Sequence, residues 1–239
     1  MGLSAPSATF AGVKVALVIP AAGSGERLGR GVPKALVDVG GCSLLRRTLE
    51  RLSSAAGFAR TVVLAPPGAV ASFEAAVAGL GPSLGRISVF PGGATRQMSV
   101  AAGVAALGDE VDIVCVHDAA RPLVAAATVR GVIEAAFADG AATAASRPSD
   151  SVRQDDVGGG SSALDRGRLW LVETPQAFRR EVLEAAHREA AGRGASYTDD
   201  ASLVEAIGQS IRIVESVGRN LKVTLEADVA LAAQLLRRD

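Results

Sequence analysis

The chain has 239 residues, 49% of them hydrophobic and 21% charged, which excludes a disordered polymer and leaves room for one large α/β domain or two small ones. Lys and Arg together number 25, as do Asp and Glu, so a net charge of zero gives no global attraction to nucleic acid or acidic membranes. No apolar run reaches membrane-spanning length, and with His117 and His187 as the only histidines a histidine-based zinc site is not expected.

Residues 1–12 lack a signal-peptide pattern and read as a loose extension. Cys42 and Cys115 read as reduced thiols, which points to a cytoplasmic protein. Strands are predicted at 14–19, 61–65, 86–90, 111–116, 141–146 and 211–215. Helices are predicted near 43–56, 69–79, 96–107, 128–138, 179–192, 199–207 and 225–237, with Ser43, Thr128 and Thr224 as candidate N-caps. This alternation predicts an α/β, Rossmann-like, mostly parallel twisted sheet with helices on both faces, whose ligands gather at the carboxyl ends of the strands.

The first strand, Val15 to Ile19, is an unbroken apolar run that ends in Pro20-Ala21-Ala22-Gly23-Ser24-Gly25-Glu26-Arg27-Leu28. Its glycines let backbone N–H groups approach a polyanion, and Arg27 with Pro33-Lys34 adds two cations that can neutralise developing charge on phosphate oxygens. The loop is near the dinucleotide fingerprint, but the last glycine falls one residue late and no ribose-binding acid stands in Gly40-Gly41-Cys42-Ser43-Leu44. Nor does it end as a P-loop, because Ala35 follows Lys34. A nucleoside triphosphate site is the reading adopted; structural punctuation and a nicotinamide-dependent oxidoreductase are the alternatives.

After the third strand, Gly92-Gly93-Ala94-Thr95-Arg96 opens a helix, and Ser99 offers a hydroxyl near a base edge; an ordinary strand-to-helix turn is the plainer alternative. The fourth strand ends in His117-Asp118-Ala119-Ala120-Arg121-Pro122, where Asp118 can take a ribose hydroxyl or a Mg²⁺ on the triphosphate, and Arg121 can meet phosphate or pair with Asp118. Residues 147–170 break the rhythm: polar, with Gly158-Gly159-Gly160 at a tip, they read as a projecting hairpin arm or as a surface insertion.

These blocks resemble the 2-C-methyl-D-erythritol 4-phosphate cytidylyltransferase family. Asp150-Ser151, Asp165-Arg166, Leu169-Trp170, Thr174-Pro175-Gln176, Thr198-Asp199-Asp200 and Asn220-Leu221-Lys222-Val223-Thr224 extend the match across about 14–230 in family order. The resemblance implies a single nucleotidyltransferase domain at 13–239, using CTP and a polyol phosphate with Mg²⁺ or another divalent cation. Ribitol 5-phosphate is the alternative acceptor. It implies that Arg27, Lys34, Arg166 and Lys222 are catalytic and that Ala21, Ala22, Gly23, Gly25, Gly93, Ser99 and Asp118 bind nucleotide. Arg121, Ser151, Thr174 and Thr198 would bind acceptor, and Asp118 would also meet the metal. It further implies a homodimer in which the 147–170 arm lends Ser151 and Arg166 to the partner's site. Two positions depart from the family pattern: Ser151 stands where threonine is usual, and Arg219 where an acid is common.

Overall fold

The computed structural model describes residues 12–23 and 31–237. The expected extension at 1–12 lies, but for Gly12, outside the described residues, as do Gly25 and Arg27. Strand β1 (Val15–Pro20) is buried along almost its whole length, as an apolar run without alternation requires. It pairs in parallel with β2 (Arg60–Ala65) on one side and with β4 (Ile113–Val116) on the other, and β3 (Arg86–Pro91) continues the parallel sheet beyond β2.

Helices α1 (Leu44–Ser53), α2 (Val70–Val77) and α4 (Ala126–Asp139) bury Leu45, Leu49, Phe73, Val129 and Ile133 in the core on one face of the sheet. Helices α3 (Arg96–Ala105), α5 (Arg180–Arg193) and α6 (Asp200–Glu205) cover the other with Val100, Val104, Leu183 and Leu203. Gly103 permits that closeness: a Cβ there would lie 2.7 Å from Val18 Cγ1. Ser43 caps α1 as predicted, accepting from Arg46 N–H at 3.2 Å. Thr128 does not cap α4; it lies inside the helix, and its hydroxyl accepts from Val217 N–H at 2.9 Å. At the start of α7 (Glu226–Leu236), Asp228 rather than Thr224 does the capping, accepting from Thr224 N–H and Leu225 N–H at 2.8 Å each.

One strand was not expected. β8 (Leu171–Arg179) runs antiparallel between β4 and β5 (Ala141–Ser146), and the seven-stranded sheet closes with β9 (Arg212–Glu215) in the order β3-β2-β1-β4-β8-β5-β9. Pro175 falls inside β8, which argues against a strand by sequence. It sits in the irregular stretch between the Thr143–Gln176 and Ala145–Val172 pairings, where a missing N–H costs no regular ladder bond. The polar segment 147–170 contains a separate antiparallel pair, β6 (Arg153–Asp155) with β7 (Ser161–Ala163). At its root, the Arg147 guanidinium lies 3.5 Å from the centre of the Trp170 ring and donates to Gly167 O at 2.7 Å, joining the two ends of the arm.

Candidate active site

The chain leaves β1, moves outward through β2 and β3, and returns to β4 on the opposite side of β1, so the sheet's switch point lies between β1 and β4. A cleft of about 560 Å³ opens there, walled by Pro20–Gly23 after β1, Gly93–Arg96 after β3, Asp118–Ala120 after β4, and by Lys34 and Lys222. Ala21, Ala22, Gly23, Lys34, Gly93, Ser99, Asp118 and Lys222 thus meet in one place. Ser99 is buried; its hydroxyl donates to Thr95 O at 2.9 Å and accepts from Gly93 N–H at 3.1 Å, shaping the Gly-Gly turn. Gly92 is required by closeness, since a Cβ there would stand 2.5 Å from Ala22 Cβ and 2.8 Å from Ser99 Oγ.

Lys34 and Lys222 are held by one apolar cluster. Lys34 opens a single 3₁₀ turn, Lys34–Leu36, that leads into Val37; Val37, Val39 and Leu44 pack with Val223, Val229 and Ala232 of the C-terminal region. Val223 N–H also donates to Ala120 O at 2.8 Å, setting Lys222 beside the loop after β4.

Asp118 is the electrostatic centre. Lys222 Nζ lies 2.7 Å from Asp118 Oδ2, Arg96 Nε 3.2 Å from Oδ1, and Arg121 Nε 4.0 Å from Oδ2. Burial alone would lift its pKa, but Arg96, Lys222 and Arg121 outweigh that and hold the carboxyl well below the usual carboxylate range. Arg96 also binds Asp200 at 2.7 Å; burial pushes the Asp200 carboxyl upward and the Arg96 contact offsets only part of that. Sequence reasoning missed both residues as site members. A signal existed for Arg96, because a cation in the first turn of a helix opposes the helix dipole and needs another reason to be there.

The remaining predicted residues separate. Thr174 is buried, and its hydroxyl accepts from Asp118 N–H at 3.0 Å, so it fixes Asp118 rather than lining the cleft. Arg121 is buried and donates to Asn220 O at 2.6 Å, in the wall of a neighbouring cavity of about 440 Å³ that it shares with Glu173 and Lys222. Thr198 is exposed in the turn before α6 and does not line the cleft. Ser151 and Arg166 are exposed on the arm; Arg166 Nη1 donates to Ser149 O at 2.6 Å, and neither residue lines the cleft of its own chain.

Among the described residues no three His, Cys, Asp or Glu side chains gather into a metal cluster, and Asp118 is the one carboxylate lining the cleft. A lone carboxylate suits a Mg²⁺ that takes its other ligands from phosphate oxygens and water.

The model of the family "IspD: 2-C-methyl-D-erythritol 4-phosphate cytidylyltransferase" matches residues 15–238. The chain belongs to this family. It is 43% identical over 231 residues to the bifunctional enzyme IspD/IspF of Clavibacter michiganensis, covering 95% of this chain and 56% of that one. To the 2-C-methyl-D-erythritol 4-phosphate cytidylyltransferase of Pelotomaculum thermopropionicum it is 36% identical over 225 residues, 94% of either chain. The solved cytidylyltransferase of Thermus thermophilus superposes with a TM-score of 0.76 at 34% identity, covering 94% of this chain and all of that one. The antiparallel β8 therefore belongs to an IspD-type α/β fold, and the three loops that form the cleft are those that carried the resemblance.

Proposed function

We propose that this IspD-family chain transfers the cytidylyl group of CTP to 2-C-methyl-D-erythritol 4-phosphate, giving 4-diphosphocytidyl-2-C-methyl-D-erythritol and pyrophosphate. The observation that carries the reading is the convergence of Lys34, Lys222 and the backbone of Ala21–Gly23 on one cleft at the sheet's switch point. Family membership sets aside the nicotinamide reading.

The acceptor's phosphate oxygen is already a nucleophile at neutral pH, so the protein's work is positioning and charge neutralisation. The Gly92-Gly93 turn with Ser99 seats the base, and the loop after β1 takes the triphosphate. Arg27 and Lys34 neutralise the equatorial oxygens of the α-phosphorus as the acceptor oxygen bonds to it and pyrophosphate leaves. Lys222, with Arg121 behind it, draws in the acceptor phosphate. Asp118 would hold a Mg²⁺ arriving with the triphosphate, which screens phosphate charge and eases departure of pyrophosphate when bound.

Residues 13–239 act in this reading as one nucleotidyltransferase unit. The arm pairs two copies and presents Ser151 and Arg166 to the partner's acceptor site, which accounts for their exposure and their absence from the lining of their own cleft. The protein works in the cytoplasm on small molecules, without nucleic acid or membrane; no described helix is long and apolar enough to cross a bilayer. Pyrophosphate release with CTP and either methylerythritol 4-phosphate or ribitol 5-phosphate tests the reading. Release with the first acceptor is expected; release confined to ribitol 5-phosphate, or none with either, overturns it.

A further inference from the structure

Glu173 lies on β8, outside the cleft, yet its carboxylate gathers three donors from three separate segments. Ser146 Oγ, at the end of β5, donates to Oε1 at 2.8 Å; Ser216 Oγ, just past β9, donates to Oε2 at 2.7 Å; and Asn220 Nδ2 donates to Oε2 at 2.8 Å. Asn220 is buried, and the same Nδ2 donates to Thr174 O at 2.7 Å. Two acceptors on one side fix which end of the amide is nitrogen, because only the NH₂ can serve both. Asn220 is two residues from Lys222, and its backbone carbonyl oxygen accepts from Arg121 Nη1 at 2.6 Å. Glu173 thus holds the one segment that carries Lys222 to Asp118 and seats the Arg121 guanidinium.

We infer that Glu173 is a positioning residue for the acceptor side of the site: through Asn220 it sets the place of Lys222 and Arg121, and so the approach of the attacking phosphate. The inference rests on the functional reading above and adds a residue that neither the motifs nor the cleft lining identifies. Its energetic basis is the charge-assisted hydrogen bond, the stronger class, made here at a half-buried site where a donor left without a partner is costly. Its kinetic basis is that small displacements of a positioning group are amplified in the rate.

The test uses the full chain and three substitutions. Glu173→Leu leaves all three donors without their acceptor. Glu173→Gln can turn Oε1 to Asn220 and Ser216 while its NH₂ meets the Ser146 hydroxyl, so it is the conservative rescue. Ser216→Ala removes a bond to Glu173 but leaves the link to Asn220. Glu173→Leu is expected to lower kcat/KM for the polyol phosphate by about 10- to 100-fold. CTP affinity should stay within about twofold, and Glu173→Gln and Ser216→Ala should both remain near wild type.

A second readout is independent of the acceptor. Lys14, Lys34 and Lys222 are the chain's only lysines, so limited amine acylation followed by peptide mass spectrometry reports the Lys222 ammonium with Lys14 as internal reference. Glu173→Leu should raise Lys222 labelling several-fold, and Asn220→Ala should do the same if the leucine variant fails to fold. Unchanged Lys222 labelling overturns the inference, as does a loss shared equally by CTP affinity or reproduced by Ser216→Ala. If wild-type protein releases no pyrophosphate with either acceptor, the functional reading falls, while the labelling still decides the positioning of Lys222.

Discussion

Lys222 Nζ sits 2.7 Å from Asp118 Oδ2, so a cation carried by the C-terminal region is held in the cleft by a carboxylate of the loop after β4. In the proposed reaction Asp118 would keep this ammonium at the boundary between two phosphorylated substrates that otherwise repel each other. Lys222 is about half exposed, so this contact contributes little to stability and its value lies in placement. Lys222→Met is therefore expected to leave the melting temperature nearly unchanged and to lower kcat/KM by about 100-fold. Activity within a few-fold of wild type in a pyrophosphate-release assay would contradict this.

Arg96 has the opposite balance. It bridges Asp118 and Asp200, and Asp200 is buried at the first turn of α6. Arg96→Met leaves that carboxylate without its cation, a loss on the order of 3 kcal/mol. For a chain of this size that corresponds to a melting temperature lower by about 6–12 °C. Calorimetry checks it; a drop of less than about 2 °C would mean that the ion pair contributes little.

How these residues come together was only partly legible beforehand. The parallel strands β1 to β4, α1's cap and the Lys34 loop follow from apolar runs, glycines and a capping serine, all local signals. β8 was not legible, since its pairing runs antiparallel between β4 and β5 and Pro175 masks it. Arg96 belongs to a motif, but its place in the site cannot be read there, because its partners lie 22 and 104 residues away in sequence. Thr174 reads as an acceptor contact from its motif; the brace its hydroxyl gives to Asp118 N–H, 56 residues away, could not be read there. Contacts set by tertiary structure leave no periodicity to read.

His117 makes the stability depend on acid. It is fully buried; Nε2 faces Arg121 O at 3.2 Å, which requires an Nε2–H, and Nδ1 is left without a partner. Burial lowers its pKa to about 4, with the Arg121 carbonyl contact opposing only part of the shift. The unfolded chain therefore binds a proton that the folded chain refuses between an ordinary value near 6.5 and about 4. Stability is full above that window and falls as pH drops through it, by at most about 3 kcal/mol from this group. His187, also lowered to about 4 by burial and then by Arg96, adds to the same slope. Urea denaturation from pH 7 to 4.5 should show the decline, and His117→Gln should flatten it; an unaltered slope in that variant removes His117 as a source.

Arg27 and Lys34 are proposed to meet charge that exists mainly in the transition state. Arg27→Ala and Lys34→Ala should each reduce turnover by about 100-fold. CTP affinity, measured by calorimetric titration, should fall much less. A variant that weakens CTP binding as much as turnover would make that residue a ground-state contact instead.

The arm gives a test that no single-chain variant provides. Ser151 and Arg166 are exposed and absent from their own cleft, whereas Lys34 lines it. If the arm serves a second copy, a site needs Lys34 from one chain and Arg166 from the other. Arg166→Ala and Lys34→Ala proteins, each nearly inactive alone, should regain activity when unfolded together and refolded. In a mixed dimer one of the two sites carries both substitutions and the other carries neither. With random pairing about half of the dimers are mixed and each has one intact site, so recovery should approach about one quarter of wild type. Mass spectrometry of the intact assembly establishes the mixing. Confirmed mixed dimers without recovered activity would mean that Arg166 acts within its own chain or not in the reaction at all.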